Sequence, residues 1–135
     1  MEIKMVIADP KTGKCAQKTI SDEDSKSLYN LKLGDNFKGE LVGLNGYEFV
    51  LTGGSDYCGF PMHRSIKGVN RFKLLTSKGI GFRAKKKFKK KGLLKRKTVA
   101  GNTVFERTTQ INVKIAKQGS EDLFNPQPKE GEQEQ

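Results

Sequence analysis

Apolar and polar residues alternate over Glu2–Ala8, with Ile3, Met5 and Ile7 on one side. A two-residue period of this kind predicts a strand with one buried face. Asp9-Pro10-Lys11-Thr12-Gly13 follows as a turn cluster, because proline presets φ and glycine tolerates positive φ. Lys14–Ile20 is the return strand of that hairpin. Ser21-Asp22-Glu23-Asp24 reads as a helix start: a serine cap, then acids that suit the positive end of the helix dipole. Little apolar surface follows up to Tyr29, so the helix is short. Phe37–Leu44 and Tyr47–Thr52 flank Asn45-Gly46, the dipeptide that best accommodates positive φ at both centres of a tight hairpin turn. Gly53-Gly54-Ser55-Asp56 ends the second of these strands. Arg71–Thr76 is a further strand, with Phe72 and Leu74 on one face. Gln110–Lys117 has the cleanest alternation, Ile111, Val113 and Ile115 inward, and Thr103–Arg107 is a candidate strand before it.

Short strands, frequent turn signals and one weak helix predict a mainly β fold, a small, mostly antiparallel β-barrel with one short helix and a basic extension. In 135 residues there is room for one domain. Leu, Ile, Val and Phe make up about 24% of the chain, above the roughly 20% below which charged chains stay disordered. The barrel domain is assigned to residues 1–118, with a basic arm at about 79–101, and residues 119–135 to a flexible acidic tail.

Charge changes the picture. The net charge is +11, yet from Tyr57 to Phe105 there is no Asp or Glu and there are 15 Lys or Arg. Arg83 to Lys97 alone carries ten positive charges. A block of one sign repels itself, and an external polyanion relieves the repulsion. Nucleic acid is the leading candidate, because phosphates match successive cationic side chains and binding releases condensed counterions. The candidate RNA-binding residues of the arm are Arg83, Lys85, Lys86, Lys87, Lys89, Lys90 and Lys91, then Lys95, Arg96 and Lys97. Arg64, Lys67, Arg71, Lys73 and Lys78 extend the surface onto the body. Phe82 and Phe88 are candidates for stacking on unpaired bases.

Other chemistries find little support. Gly79-x-Gly81-x-x-Ala84 matches a relaxed dinucleotide fingerprint, but a run of lysines follows where an amphipathic helix is required. Cys58 and His63 are close in sequence, with Asp56 the nearest acid, yet the pair reads as a packed thiol and a surface imidazole. Cys15, Cys58 and His63 are too few for a structural metal site within one chain. No catalytic constellation, metal or cofactor is therefore expected. There is no membrane span and no signal-peptide layout, and a reducing cytoplasm is the default. Asp56 is expected to bond neighbouring amides, and Phe60-Pro61-Met62 to form an apolar plug at a corner of the barrel.

Several segments, in order, carry a resemblance. They are Leu33-Gly34-Asp35, Gly53-Gly54-Ser55-Asp56, Gly59-Phe60-Pro61-Met62 and Leu74-Leu75-Thr76-Ser77-Lys78-Gly79. Lys95-Arg96-Lys97-Thr98-Val99 with Gly101-Asn102, and Ile111-Asn112-Val113-Lys114-Ile115, complete the set. The chain resembles the small-subunit ribosomal protein six-e family of archaea and eukaryotes over most of residues 1–118. The resemblance implies a structural ribosomal protein with a β-barrel body, bound to small-subunit ribosomal RNA and neighbouring ribosomal proteins in the cytoplasm, and monomeric when free. Ala100 stands where the family usually carries an arginine, so one expected phosphate contact is missing. The short acidic tail, with Ser120 its only serine, resembles the archaeal form and lacks the regulatory serines of eukaryotic members. The rival reading from charge alone is a free nucleic-acid chaperone or nucleoid-type protein.

Overall fold

The computed structural model describes residues 2–83, 92–119 and 123–124. Seven strands and one short α-helix follow the order β1 Ile3–Ala8, β2 Cys15–Ile20, α1 Asp22–Lys26, β3 Asn36–Lys38, β4 Glu48–Asp56, β5 Phe72–Thr76, β6 Lys95–Val99 and β7 Thr108–Lys117. A single 3-10 turn, Gly39–Val42, lies between β3 and β4. The mainly β expectation holds. The barrel does not: five strands form a sheet in the order β2-β1-β7-β4-β3, and β5 and β6 form a separate two-stranded ribbon. No pairing among the described residues joins the β2 and β3 edges, so the sheets are not closed into a barrel. Nor is the sheet wholly antiparallel, because β1 and β7 run parallel at its centre.

Strand register explains why alternation was the right signal. Met5 lies opposite Ile111 and Ile7 opposite Val113 across β1 and β7. Leu51 lies opposite Val113 and Phe49 opposite Ile115 across β4 and β7. Paired residues share a face, so the three strands present one apolar surface. Phe49 is completely buried at its centre, its ring 5.6 Å from Tyr47 and 5.7 Å from Phe37. Leu28, Val42, Leu44, Met62 and Val104 from the connecting segments cover the surface.

The expected hairpin at Asn45-Gly46 is more elaborate than a two-residue turn. The strand expected over Phe37–Leu44 pairs only as far as Lys38. Gly39 then turns the chain: its N–H donates to the Tyr47 carbonyl at 2.8 Å, and its own carbonyl accepts from Leu44 N at 2.8 Å. A Cβ on Gly39 would collide with the Leu44 carbonyl, so only glycine fits. The detour buries Val42 and Leu44 together with Phe37, whereas a continuous strand would put Phe37 on the face opposite the other two.

β4 does not end at Gly53 as expected but continues to Asp56, with its register shifting between Leu51 and Gly53. The shift is a bulge, which inserts a residue and rephases the strand. Gly54 tolerates the close approach, since a Cβ there would sit 2.6 Å from the Gln110 carbonyl and 2.8 Å from the Met62 sulfur. Thr103–Arg107 is not a strand; Thr103 makes one isolated bridge with Lys32. Leu123 and Phe124 pack half-buried against the core, so contact with the body extends past the tail boundary expected at 118/119.

At the first turn Asp9 is buried and accepts from Lys11 N at 2.9 Å and Thr12 Oγ1 at 2.8 Å. The Lys11 amide, then the Thr12 hydroxyl, hold its carboxyl below the ordinary aspartate value. A carboxyl lowered in the folded state binds its proton less readily than in the unfolded chain. Its stabilising contribution is therefore complete above the unfolded pKa and is lost as pH falls through the folded one. Asp9→Asn should reduce the loss of stability seen on acidification below the ordinary aspartate range, measured by urea unfolding at stepped pH. Phe49→Ala should lower the unfolding free energy by about 3–5 kcal/mol in the same assay, the usual cost of deleting a buried phenylalanine.

Candidate nucleic-acid interface

Among the described residues, the basic side chains of the Tyr57–Phe105 block are carried on or beside three pieces of backbone: a loop over residues 63–68, the β5–β6 ribbon, and the turn over residues 79–83 that follows β5. Each is tied to the body through a corner that starts at Asp56.

Asp56 is buried, with 6% of its side chain exposed. Its Oδ1 accepts the amides of Cys58 and Phe60, both at 3.0 Å, and its Oδ2 takes the Arg71 Nε–H at 2.5 Å. Its own amide donates to the Phe60 carbonyl at 3.1 Å. The chain therefore reverses over five residues, and Met62 N returns to the Gly54 carbonyl at 2.9 Å. The expectation that Asp56 bonds neighbouring amides is met. The Arg71 guanidinium carbon lies 4.9 Å from the centre of the Tyr57 ring and 5.0 Å from that of Phe60, within cation–π range of both. The hydrogen bond to Asp56 is the main cause raising the Arg71 pKa above the ordinary arginine value, so it stays charged. Arg71 is thus engaged by the corner, its charge met by Asp56 while about a third of its side chain stays exposed.

The loop after Met62 is laced to the segment after β6. His63 N donates to the Ala100 carbonyl at 3.0 Å and Asn102 N to the Ile66 carbonyl at 2.8 Å. The Asn102 side chain accepts from Gly68 N at 3.3 Å and donates to the Arg64 carbonyl at 3.4 Å. Gly101 passes against Gly68 so closely that a Cβ would strike the Gly68 carbonyl oxygen. Arg64 and Lys67 consequently stand exposed on a loop whose backbone is pinned. Sequence reasoning gave Asn102 no role; the visible signal was an Asx residue next to a glycine, a pairing suited to holding two loops together.

β6 is the largest departure from expectation. The arm was expected to interrupt the strands from Gly79 to about Gly101, being too charged to pack. Instead Lys95–Val99 pairs antiparallel with Phe72–Thr76, Leu75 opposite Arg96 and Leu74 opposite Lys97. Backbone pairing needs no apolar side chains, so a cationic segment can form a strand where its side chains reach solvent. In this register Lys95 and Lys97 share a face with Phe72 and Leu74, whereas Arg96 and Lys73 share the other with Leu75 and Thr98. The ribbon is basic on both faces. Phe72 and Leu75 remain about half exposed. Lys78 and Arg83 are exposed on either side of the Gly79–Phe82 turn. Lys85, Lys86, Lys87, Lys89, Lys90, Lys91, Phe88 and Ala84 lie outside the described residues.

The alternatives are not assembled. His63 Nδ1 accepts the Ser65 amide at 3.2 Å, and Asp56 is committed to Cys58 N, Phe60 N and Arg71, so no acid orients the imidazole toward the exposed Cys58. Gly79 and Gly81 sit in a turn that enters no helix among the described residues. Among the described residues no group of three or more His, Cys, Asp or Glu is placed to hold a metal ion. No helix among them is long and apolar enough to cross a membrane.

Comparison with known proteins decides the family. The family model described as Ribosomal protein S6e matches residues 3–126. The chain belongs to the ribosomal protein S6e family. Relatives named small ribosomal subunit protein eS6 include that of Methanosphaera stadtmanae, 40% identical over 99% of this chain and 100% of the relative. That of Methanocaldococcus jannaschii is 41% identical over 89% of this chain and 86% of the relative. That of Archaeoglobus fulgidus is 41% identical over 92% and 96% respectively. S6e proteins are structural components of ribosomes and not enzymes, in keeping with the resemblance read from the motifs.

If the Asp56 corner positions the interface, its loss should be costly. Asp56→Ala should lower the unfolding free energy by about 1–3 kcal/mol, the range for leaving buried donors unmet. Asp56→Asn should cost less, because its amide oxygen still accepts both backbone N–H groups. Urea unfolding of the two variants provides the comparison.

Proposed function

We propose that this chain is a structural constituent of the small ribosomal subunit that binds ribosomal RNA through the 63–68 loop, the β5–β6 ribbon and the arm that leaves it. The observation that carries the reading is the acid-free block from Tyr57 to Phe105, with its 15 cationic residues. That block is also the part of the chain whose side chains are least committed to the core. Arg64, Lys67, Lys73, Lys78, Arg83, Lys95 and Arg96 are exposed, and Lys97 is half-buried. Lysine and arginine on pinned backbone suit phosphate contacts that fix position and leave sequence readout to other groups. Arg71 acts in this reading by holding the corner against which the other cations stand. In this reading the protein works on the small ribosomal subunit, which its relatives' names give, in the cytoplasm and beside neighbouring ribosomal proteins.

The test is salt dependence. With about six phosphate contacts, log affinity for single-stranded ribosomal RNA segments should fall with log salt at a slope on the order of −4 to −5. Replacing Lys95, Arg96 and Lys97 together by Gln should make the slope shallower by roughly 2. A flat salt response by filter binding would count against the proposal. Gradient sedimentation of a lysate separates this role from a free chaperone: the protein should remain with small subunits after a moderate salt wash.

A further inference from the structure

The base of the arm and the Asp56 corner enclose a groove of about 630 Å³. One wall is Gly59-Phe60-Pro61, the other Gly79-Ile80-Gly81-Phe82 with Arg83, and the remainder is Lys97 and Thr98 of β6. Resting on the RNA-binding reading, we propose that this groove takes a single unpaired base of RNA, stacked on Phe82, with Phe60 as the wall it enters beside and the adjoining phosphate on Arg83 and Lys97.

Four observations converge. The groove falls within the 300–1,000 Å³ typical of small-ligand sites, which is ample for one nucleotide. Its lining combines two half-buried aromatic rings with two cations and contains no acid, so it favours a flat ligand that carries negative charge. The walls meet at Gly81, whose φ is +81°: a Cβ placed there would lie 3.3 Å from both Pro61 Cγ and Val99 Cγ1, so glycine lets the turn seat against Pro61 at one end of the groove. The turn is closed by Phe82 N donating to the Gly79 carbonyl at 3.2 Å. The Phe60 ring is packed by Arg71, whose guanidinium is fixed by Asp56. Such a site is organised before its ligand arrives, which lowers the entropic cost of binding. A cationic ribbon alone would not distinguish paired from unpaired RNA; an aromatic groove beside it does, because only an extruded base can stack.

The probe is a pair of RNA hairpins of equal length, one fully paired and one with a single bulged 2-aminopurine. The full-length protein should bind the bulged hairpin about tenfold more tightly, and the bulged base should lose fluorescence as it stacks. Phe82→Ala should abolish the difference without weakening binding to the paired hairpin, and Phe82→Trp should restore it. Melting curves establish that both variants fold. Equal binding of the two hairpins by the unaltered protein overturns the groove proposal and leaves RNA binding standing. Failure to bind either hairpin overturns both. Equal weakening of both hairpins by Phe82→Ala also overturns the proposal, since Phe82 would then act only on the fold. Micromolar binding of adenosine monophosphate would overturn it in favour of a free-nucleotide site.

Discussion

Asp56 is the last acid before 49 residues that contain none, and the corner from which the basic segments leave the body depends on it. One carboxylate receives two backbone amides and one guanidinium, and these bonds determine where the chain goes next. The amides turn β4 back on itself. The guanidinium, fifteen residues further on, brings the start of the ribbon to the same point. A corner made this way needs no apolar core of its own, which suits a segment rich in Gly and Lys. Burying an ion pair incurs desolvation, and here that is offset because the carboxylate's remaining valence is filled by amides and the guanidinium's faces by Tyr57 and Phe60.

The rest of the molecule separates two tasks. The five-stranded sheet buries Phe49, Met5, Ile7, Ile111 and Val113 and supplies the hydrophobic stabilisation. The β5–β6 ribbon and the 63–68 loop contribute little to that core. They are held by backbone hydrogen bonds, by Asn102 and by glycines that let main chains approach, as at Gly101 against Gly68. This division leaves Arg64, Lys67, Lys73, Lys78, Arg83, Lys95 and Arg96 exposed among the described residues of the basic block. It also explains why both ribbon faces can be cationic: neither has to pack against the sheet along its whole length.

Periodicity was legible wherever one face of a strand is buried and the other wet. Ile3, Met5 and Ile7, and Ile111, Val113 and Ile115, were read correctly for that reason, as was the Ser21 cap, whose hydroxyl accepts from Asp24 N at 3.5 Å. Strand β6 was not legible, because Lys95, Arg96 and Lys97 show no alternation; only pairing with Phe72–Thr76 makes them a strand, and pairing is a non-local fact. The Asn45-Gly46 signal was sound as a turn but misleading as a hairpin, since the cost of straightening Gly39 past Leu44 is steric and invisible locally. Barrel closure failed similarly: strand count does not determine whether edges meet. Charge placement made the nucleic-acid reading possible. Which of the cations are free could not be read, and Arg71, locked between Asp56 and two rings, illustrates the difference.

The same corner connects fold stability to the groove at the arm's base. Phe60 faces two roles, as a ring packed by Arg71 and as a wall of the groove. Pro61 likewise accepts the Ala100 amide through its carbonyl at 2.8 Å while its ring abuts Gly81. A ligand pressing on this wall therefore acts on a backbone already fixed by Asp56, Ala100 and Gly54. The groove cannot relax without breaking bonds that hold β4, the 63–68 loop and β6 together. Rigidity of this kind is the physical reason to look for discrimination here: a bare ammonium recognises a phosphate as a point charge and does not select the base beside it.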